Sequence, residues 1–261
     1  LANTTASDTG SSSVDNITSN RKPVLEGNAP LSESTVQVTV VSGGTTLIYN
    51  SVAVSAGIWS LNLLTATPST GTMPVAGLAE GYVNLTVGLN SDTSATVATS
   101  SFLIDLTAPI VPTVVSQTAN TATPTLTGTT ASDTDVLEVT VNNVTYTSGD
   151  GYLSYIPGTT TWSLTIPNVN ALSSATYGIV VVSYDVAGNS STDITNNELT
   201  VNLITAAPIL DLSPSDGATK NNSATYTQSG NAVAFTLSGT NISDSDSTTF
   251  ATLNISYPLS S

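Results

Sequence analysis

With no His and no Cys, the side chains of this chain best able to do chemistry are its carboxylates. There are 18 Asp and Glu against Arg21, Lys22 and Lys220, giving a net charge of -15. The informative ones fall in two sets. Asp105 and Glu33 go with the run Asp185-Val-Ala-Gly-Asn189, while Asp133, Asp135 and Asp211 form a second set with Asp216 as an outlying member. Carboxylates that converge without a counter-charge repel, and a hard cation turns that repulsion into a clamp. Ca²⁺ takes about six to eight oxygens at roughly 2.3–2.6 Å, so Asp and Glu side chains with backbone carbonyls suit it.

The missing residue types exclude much else. Ser-His-Asp and Cys-His catalysis, His/Cys zinc sites and disulfides are all impossible. Paired carboxylates can hydrolyse glycosidic bonds. Here, however, each cluster maps to a turn or a joint, so the expectation is no enzyme. Three basic groups cannot build a phosphate-binding patch, which argues against nucleic acid and anionic membrane as partners. The longest apolar runs, such as Gly178-Ile-Val-Val-Val182, are too short to insert in a bilayer. Leu1-Ala-Asn-Thr-Thr5 lacks the basic and apolar regions of a signal peptide, and the chain reads as a piece of a longer one.

The elements that must position these carboxylates are strands. Apolar residues alternate with period two in Val36-Gln-Val-Thr-Val40, Trp59-Ser-Leu-Asn-Leu63, Leu137-Glu-Val-Thr-Val141 and Thr161-Trp-Ser-Leu-Thr-Ile166. With 46 Thr and 37 Ser, hydroxyl residues fill much of the polar face, and Thr, like Val and Ile, suits a pleated strand. No amphipathic helix is legible. An internal repeat sets the domain count. Pro23-Val-Leu-Glu-Gly27 recurs 101 residues on as Pro124-Thr-Leu-Thr-Gly128, and Trp59-Ser-Leu61 recurs at an offset of 103 as Trp162-Ser-Leu164. Each unit ends on an apolar strand running into Ala-Pro, at Pro109 and Pro208.

A repeat of about 100 residues holding about seven short strands has the size of an immunoglobulin-like sandwich. The expected fold is therefore all-β, with tandem immunoglobulin-like sandwiches in an elongated rod. Residues 1–20 are a linker or part of a preceding domain, 21–106 and 107–206 are complete domains, and 207–261 form a partial third. Trp59 and Trp162 should fill the roughly 10 Å gap between sheets, and Tyr82 and Tyr177 are expected in corners or cores. In such a chain the final hairpin lies at the entry end and the turn after the first strand at the exit end. Asp105 should then meet Asp185 and Asn189, with Glu33 approaching the same joint. Asp133, Asp135 and Asp211 are assigned to the second joint.

Asp105-Leu-Thr-Ala-Pro109 and Asp185-Val-Ala-Gly-Asn-Ser190 resemble the D-x-T-A-P and D-x-A-G-N-S signatures of tandem immunoglobulin-like repeats in giant bacterial surface adhesins, of the biofilm-associated and repeats-in-toxin types. The resemblance covers roughly residues 21–206, and Ile242-Ser-Asp-Ser-Asp-Ser247 is similar to the opening of a cadherin-like repeat. It implies extracellular, Ca²⁺-rigidified extender modules at a cell surface, with Asp105 and Asp185 as matched ligands. The partners implied are neighbouring domains of the same chain and host, surface or cell-envelope ligands. Departures exist: the first domain has Asn90 where the second has Asp185, and the second linker has Ile204 where the first has Asp105. A tight turn alone also accounts for Asp185-Val-Ala-Gly-Asn189, because Gly and Asn tolerate positive φ. Two other functions fit the same fold: a surface-layer or filament subunit, and a carbohydrate- or protein-binding module using Tyr146, Tyr152 and Tyr155 as a platform, although packing or hairpin formation is the favoured reading of those tyrosines.

Overall fold

Period-two alternation becomes strand in a computed structural model whose described residues are 2–3, 7–91, 96–203, 209–211 and 241–243. The first unit contains β1 (Ala2–Asn3), β2 (Ile17–Thr18), β3 (Val24–Asn28), β4 (Thr35–Ser42), β5 (Thr45–Ser55), β6 (Ile58–Asn62), β7 (Gly81–Leu89) and β8 (Thr96–Ile104). They pair in the order β1-β3-β6-β5-β4-β7-β8-β2. The long β5 switches layers: residues 45–53 pair with β4, whereas Val54 and Ser55 pair with β6. Val36, Val38 and Val40 point inward from β4 with their polar neighbours outside, as the alternation requires.

The second unit contains β9 (Thr113–Val114), β10 (Gln117–Ala119), β11 (Thr125–Thr129), β12 (Val136–Val141), β13 (Val144–Thr147), β14 (Leu153–Ser154), β15 (Thr161–Thr165), β16 (Ala175–Tyr177), β17 (Ile179–Tyr184), β18 (Ser190–Thr192) and β19 (Leu199–Val201). Sheets β14-β15-β11-β9 and β13-β12-β17-β18 share one core, with Leu126 and Trp162 from the first and Val139 and Val181 from the second. A three-stranded sheet, β10-β19-β16, completes the unit. The expected tandem immunoglobulin-like sandwiches are thus present. Of the third unit, β20 (Ile209–Asp211) pairs antiparallel with β21 (Asn241–Ser243), setting Asp211 opposite Asn241. Ile204, Asp216, Asp244 and Asp246 lie outside the described residues.

The repeated glycine is explained by the repeated tryptophan. Gly27 pairs with Trp59 across β3 and β6, and Gly128 with Trp162 across β11 and β15. A Cβ on Gly27 would lie 2.8 Å from the Trp59 ring, and one on Gly128 would lie 2.5 Å from the Trp162 ring. The glycine makes room for the indole, and both tryptophans are core residues, 1% and 3% exposed.

Three expectations need correction. Residues 2–3 pair with β3, and Ile17–Thr18 run parallel to the end of β8, so the first 20 residues supply the first sandwich's own opening strands. Two-residue strands in a segment rich in Ser, Thr and Asn carry no alternation, which hid them. Tyr82 is 70% exposed on the outer face of β7, whereas Tyr177 does anchor a corner, its hydroxyl donating to the Ser173 carbonyl at 3.0 Å. The alternative of a tyrosine platform gives way to the favoured packing reading: Tyr146 and Tyr155 are core side chains, and only Tyr152, set edge-on to Tyr146, is exposed. Asp193 is buried and accepts the Thr195 hydroxyl at 2.7 Å.

Candidate functional site

The opening strands change the parity of each sandwich. Because β2 precedes β3, and β9 and β10 precede β11, the turn after the Pro-x-Leu-x-Gly strand lies at the entry end. Ser91, at the β7–β8 hairpin, donates to Glu33. Asp105 follows the other end of β8, a nine-residue strand of about 30 Å. Glu33 therefore does not approach the Asp105 joint. The same shift brings the turn of Asp133 and Asp135 to the first joint rather than the second. The Asp135 amide donates to the Tyr184 carbonyl at 2.7 Å, beside the hairpin that carries Asp185. Asp211 lies in β20.

At the joint, β8 runs directly into Asp105, whose amide donates to the Thr18 carbonyl at 3.0 Å. Facing it is the β17–β18 hairpin, where Gly188 at φ +85° allows the tight turn. Asp185, only 3% exposed, closes that turn. It accepts the Asn189 amide at 2.8 Å on one carboxylate oxygen and Asn189 Nδ2 at 2.9 Å on the other. The same Nδ2 donates across the joint to the Asp105 carbonyl at 3.0 Å. Ser191 Oγ adds a bond to the Pro109 carbonyl. The Asp-x-Ala-Gly-Asn run is thus both a self-capped turn and an interdomain contact.

A second contact comes from a segment to which sequence reasoning gave no role. Residues 7–16, between β1 and β2, reach the second sandwich: Thr9 Oγ1 donates to the Ala187 carbonyl at 2.6 Å, and Ser11 Oγ bonds the Asp135 carboxylate. Between them Gly10, at φ +95°, lies so close to the Val186 carbonyl that no side chain fits. The available signal was the pair Asp8-Thr-Gly10, a turn glycine beside an acid, inside a segment taken for a linker.

The joint is negative. Burial pushes the Asp105 carboxyl above its ordinary value, an amide bond from Thr107 opposes this, and the fields of Asp185, Glu80 and Asp133 raise it further. Glu80 is held beside the linker by the Thr107 hydroxyl. Among the described residues the basic side chains, Arg21 and Lys22, donate to the Leu78 and Val75 carbonyls. Every donor here is oxygen, as Ca²⁺ requires, and the excess of charge is what a cation relieves. Among the described residues, though, no three carboxylates are arranged around a common point closely enough to hold a metal. An ion would have to draw on carbonyls and the Asn189 amide oxygen as well. Elsewhere, a shallow groove of about 610 Å³ runs over Val115, Thr127, Ser154, Ile156 and Thr161, with no titratable group in its lining. No helix among the described residues is long and apolar enough to cross a membrane.

Residues 1–105 match the family described as bacterial Ig-like domain. No curated protein sequence matches significantly. Among solved structures, a tetra-tandem repeat in the extending region of a large adhesion protein is 20% identical with a TM-score of 0.33, over 76% of this chain and 50% of that one. Dimeric latent PorU from Porphyromonas gingivalis is 15% identical with a TM-score of 0.29, over 75% of this chain and 23% of that one. The I9–I11 tandem from titin is 11% identical with a TM-score of 0.30, over 74% and 63%. The chain thus spans less than two thirds of each of these structures, and its first sandwich is similar to the bacterial Ig-like domains.

Proposed function

We propose that these sandwiches are a non-catalytic extracellular spacer, an extender segment of a bacterial cell-surface adhesin, whose first joint is stiffened by Ca²⁺. One observation carries the reading: Asp105 sits in the negative fields of Asp185, Glu80 and Asp133 at a linker already bridged by Asn189 and Ser191. A joint made only to be flexible has no use for contacts between sandwiches, and a joint made only of contacts gains nothing from four uncompensated acids. The residues that would hold the ion are Asp105 and Asp185, with Asn189 Oδ1 and backbone carbonyls of the joint completing the oxygen set, while Glu80 and Asp133 add to the negative field that attracts it. Bound there, Ca²⁺ supplies charge compensation and a fixed angle between domains. The match of residues 1–105 to bacterial Ig-like domains supports the surface setting.

The test is to add millimolar Ca²⁺ to chelated protein while recording melting temperature and small-angle scattering. An ion that binds only the folded, closed joint raises stability by mass action and narrows the distribution of interdomain angles. The Asp105→Asn/Asp185→Asn protein should lose both responses. If the unsubstituted protein shows neither, the clamp is wrong.

A further inference from the structure

A second acidic pair lies in the loop between β1 and β2. Asp8 is only 5% exposed. Its Oδ2 accepts the Asn16 amide at 3.3 Å, while its Oδ1 is buried with no hydrogen-bond partner. The Asp15 carboxylate lies against it and accepts the Ile17 amide at 3.0 Å. Asn16, at φ +62°, turns the chain back so that the two acids meet. Neighbouring bonds fix the loop: Ser7 Oγ accepts the Val24 amide at 2.7 Å, and Thr9 Oγ1 accepts the Ser19 amide at 2.8 Å.

A buried carboxylate oxygen with no donor is rare, because it forfeits its solvation for nothing. Placing a second carboxylate against it adds repulsion. Such an arrangement calls for a positive partner, and neither Arg21 nor Lys22 serves, since both bond carbonyls elsewhere. A loop built from Ser, Thr and Asn offers hydroxyl, amide and carbonyl oxygens and no softer donor.

The geometry points to a cation site inside the first sandwich, in the loop of residues 7–16, taking a hard divalent ion such as Ca²⁺ with Asp8 and Asp15 as its charged ligands. This goes beyond the joint site and stands without it, since Asp105 and Asp185 contribute nothing to it. Its effect nonetheless reaches the joint. Thr9, Gly10 and Ser11, which touch the second sandwich, lie between the two ligands in sequence, so an ion that holds Asp8 to Asp15 closes the loop that grips the neighbouring domain.

Calorimetric titration of the whole chelated chain with CaCl₂ tests this, using Asp15→Asn as the main variant because Asp15 is exposed and its loss leaves the core alone. Asp15→Asn should bind one ion fewer than the unsubstituted protein, whereas Asp105→Asn/Asp185→Asn should retain that ion. The isosteric Asp8→Asn variant should lose the same ion, yet melt higher than the unsubstituted protein in chelator, because an uncompensated buried charge is gone. Equal ion counts for Asp15→Asn and the unsubstituted protein overturn the proposal, whatever the joint variant does. So does a pair that answers only to pH and not to Ca²⁺, which would mean a shared proton in place of a metal.

Discussion

Gly10→Ala separates the grip between sandwiches from the folding of either one. A Cβ at Gly10 would stand 2.0 Å from the Val186 carbonyl oxygen, whereas real Cβ contacts essentially never fall under 3.0 Å. The loop and the hairpin must therefore part by about 1 Å, the difference between those two distances. The same displacement stretches the Thr9–Ala187 bond from 2.6 Å to about 3.6 Å, outside hydrogen-bond range. Loss of that bond costs the joint about 1 kcal/mol, a several-fold shift toward open arrangements. Separately, φ of +95° costs an alanine about 1–2 kcal/mol within the first sandwich. The absence of cysteine makes the assay clean: Val75→Cys and Val169→Cys, at positions 97% and 82% exposed, take one spin label on each sandwich. Pulsed dipolar spectroscopy in chelator should give a broader interdomain distance distribution for Gly10→Ala. Melting should show that both sandwiches remain folded. An unchanged distribution in a folded Gly10→Ala protein would refute the grip, because the clash would then have been absorbed without moving the domains.

Two further outcomes follow from the same physics. Gly128→Ala should destabilise its sandwich more than Gly27→Ala destabilises the first, in thermal melts, since the new Cβ at 128 meets both the Thr113 carbonyl at 1.9 Å and the Trp162 ring, while at 27 it meets only an indole. Overpacking of this kind costs about 1–3 kcal/mol, and position 128 should sit at or above the upper end. In chelator, the joint should be stabilised by mild acid. Asp8 and Asp105 hold protons more tightly folded than unfolded, so between 3.8 and their raised folded values the native state binds more protons and stability falls as pH rises. Asp150 works in the opposite sense: burial raises its carboxyl, but amide bonds from Tyr152, Thr147 and Leu153 outweigh this, so its contribution is lost only below 3.8. Melting temperature measured from pH 7 down to 4.5 should therefore rise in chelator, and added Ca²⁺ should flatten or reverse that slope.

Local chemistry, read from the chain alone, decided a great deal. Period-two alternation in Val36-Gln-Val-Thr-Val40 determines a strand with one buried face, because a pleat has no other way to sort side chains. The Gly and Trp that recur together determined two sandwiches, each with an indole across its core, and the absence of His and Cys confined all polar chemistry to oxygen. Asp185-Val-Ala-Gly-Asn189 was legible as a turn, because each bond that closes it spans only four residues.

What the tertiary structure decided was which ends of the sandwiches meet. That depends on the number of strands preceding a motif, and strands as short as Ile17–Thr18 are defined by pairing with Leu103 and Ile104, more than 80 residues away, not by any pattern of their own. An error of one strand sends Glu33 to the wrong end of the first domain and Asp133 to the wrong joint. The contribution of Asp8 was hidden for a related reason. A carboxylate in a Ser- and Thr-rich segment looks solvated until the fold buries Asp8 in the first sandwich and lays the exposed Asp15 against it. Burial is a property of the assembled layers, and no stretch of sequence records it by itself.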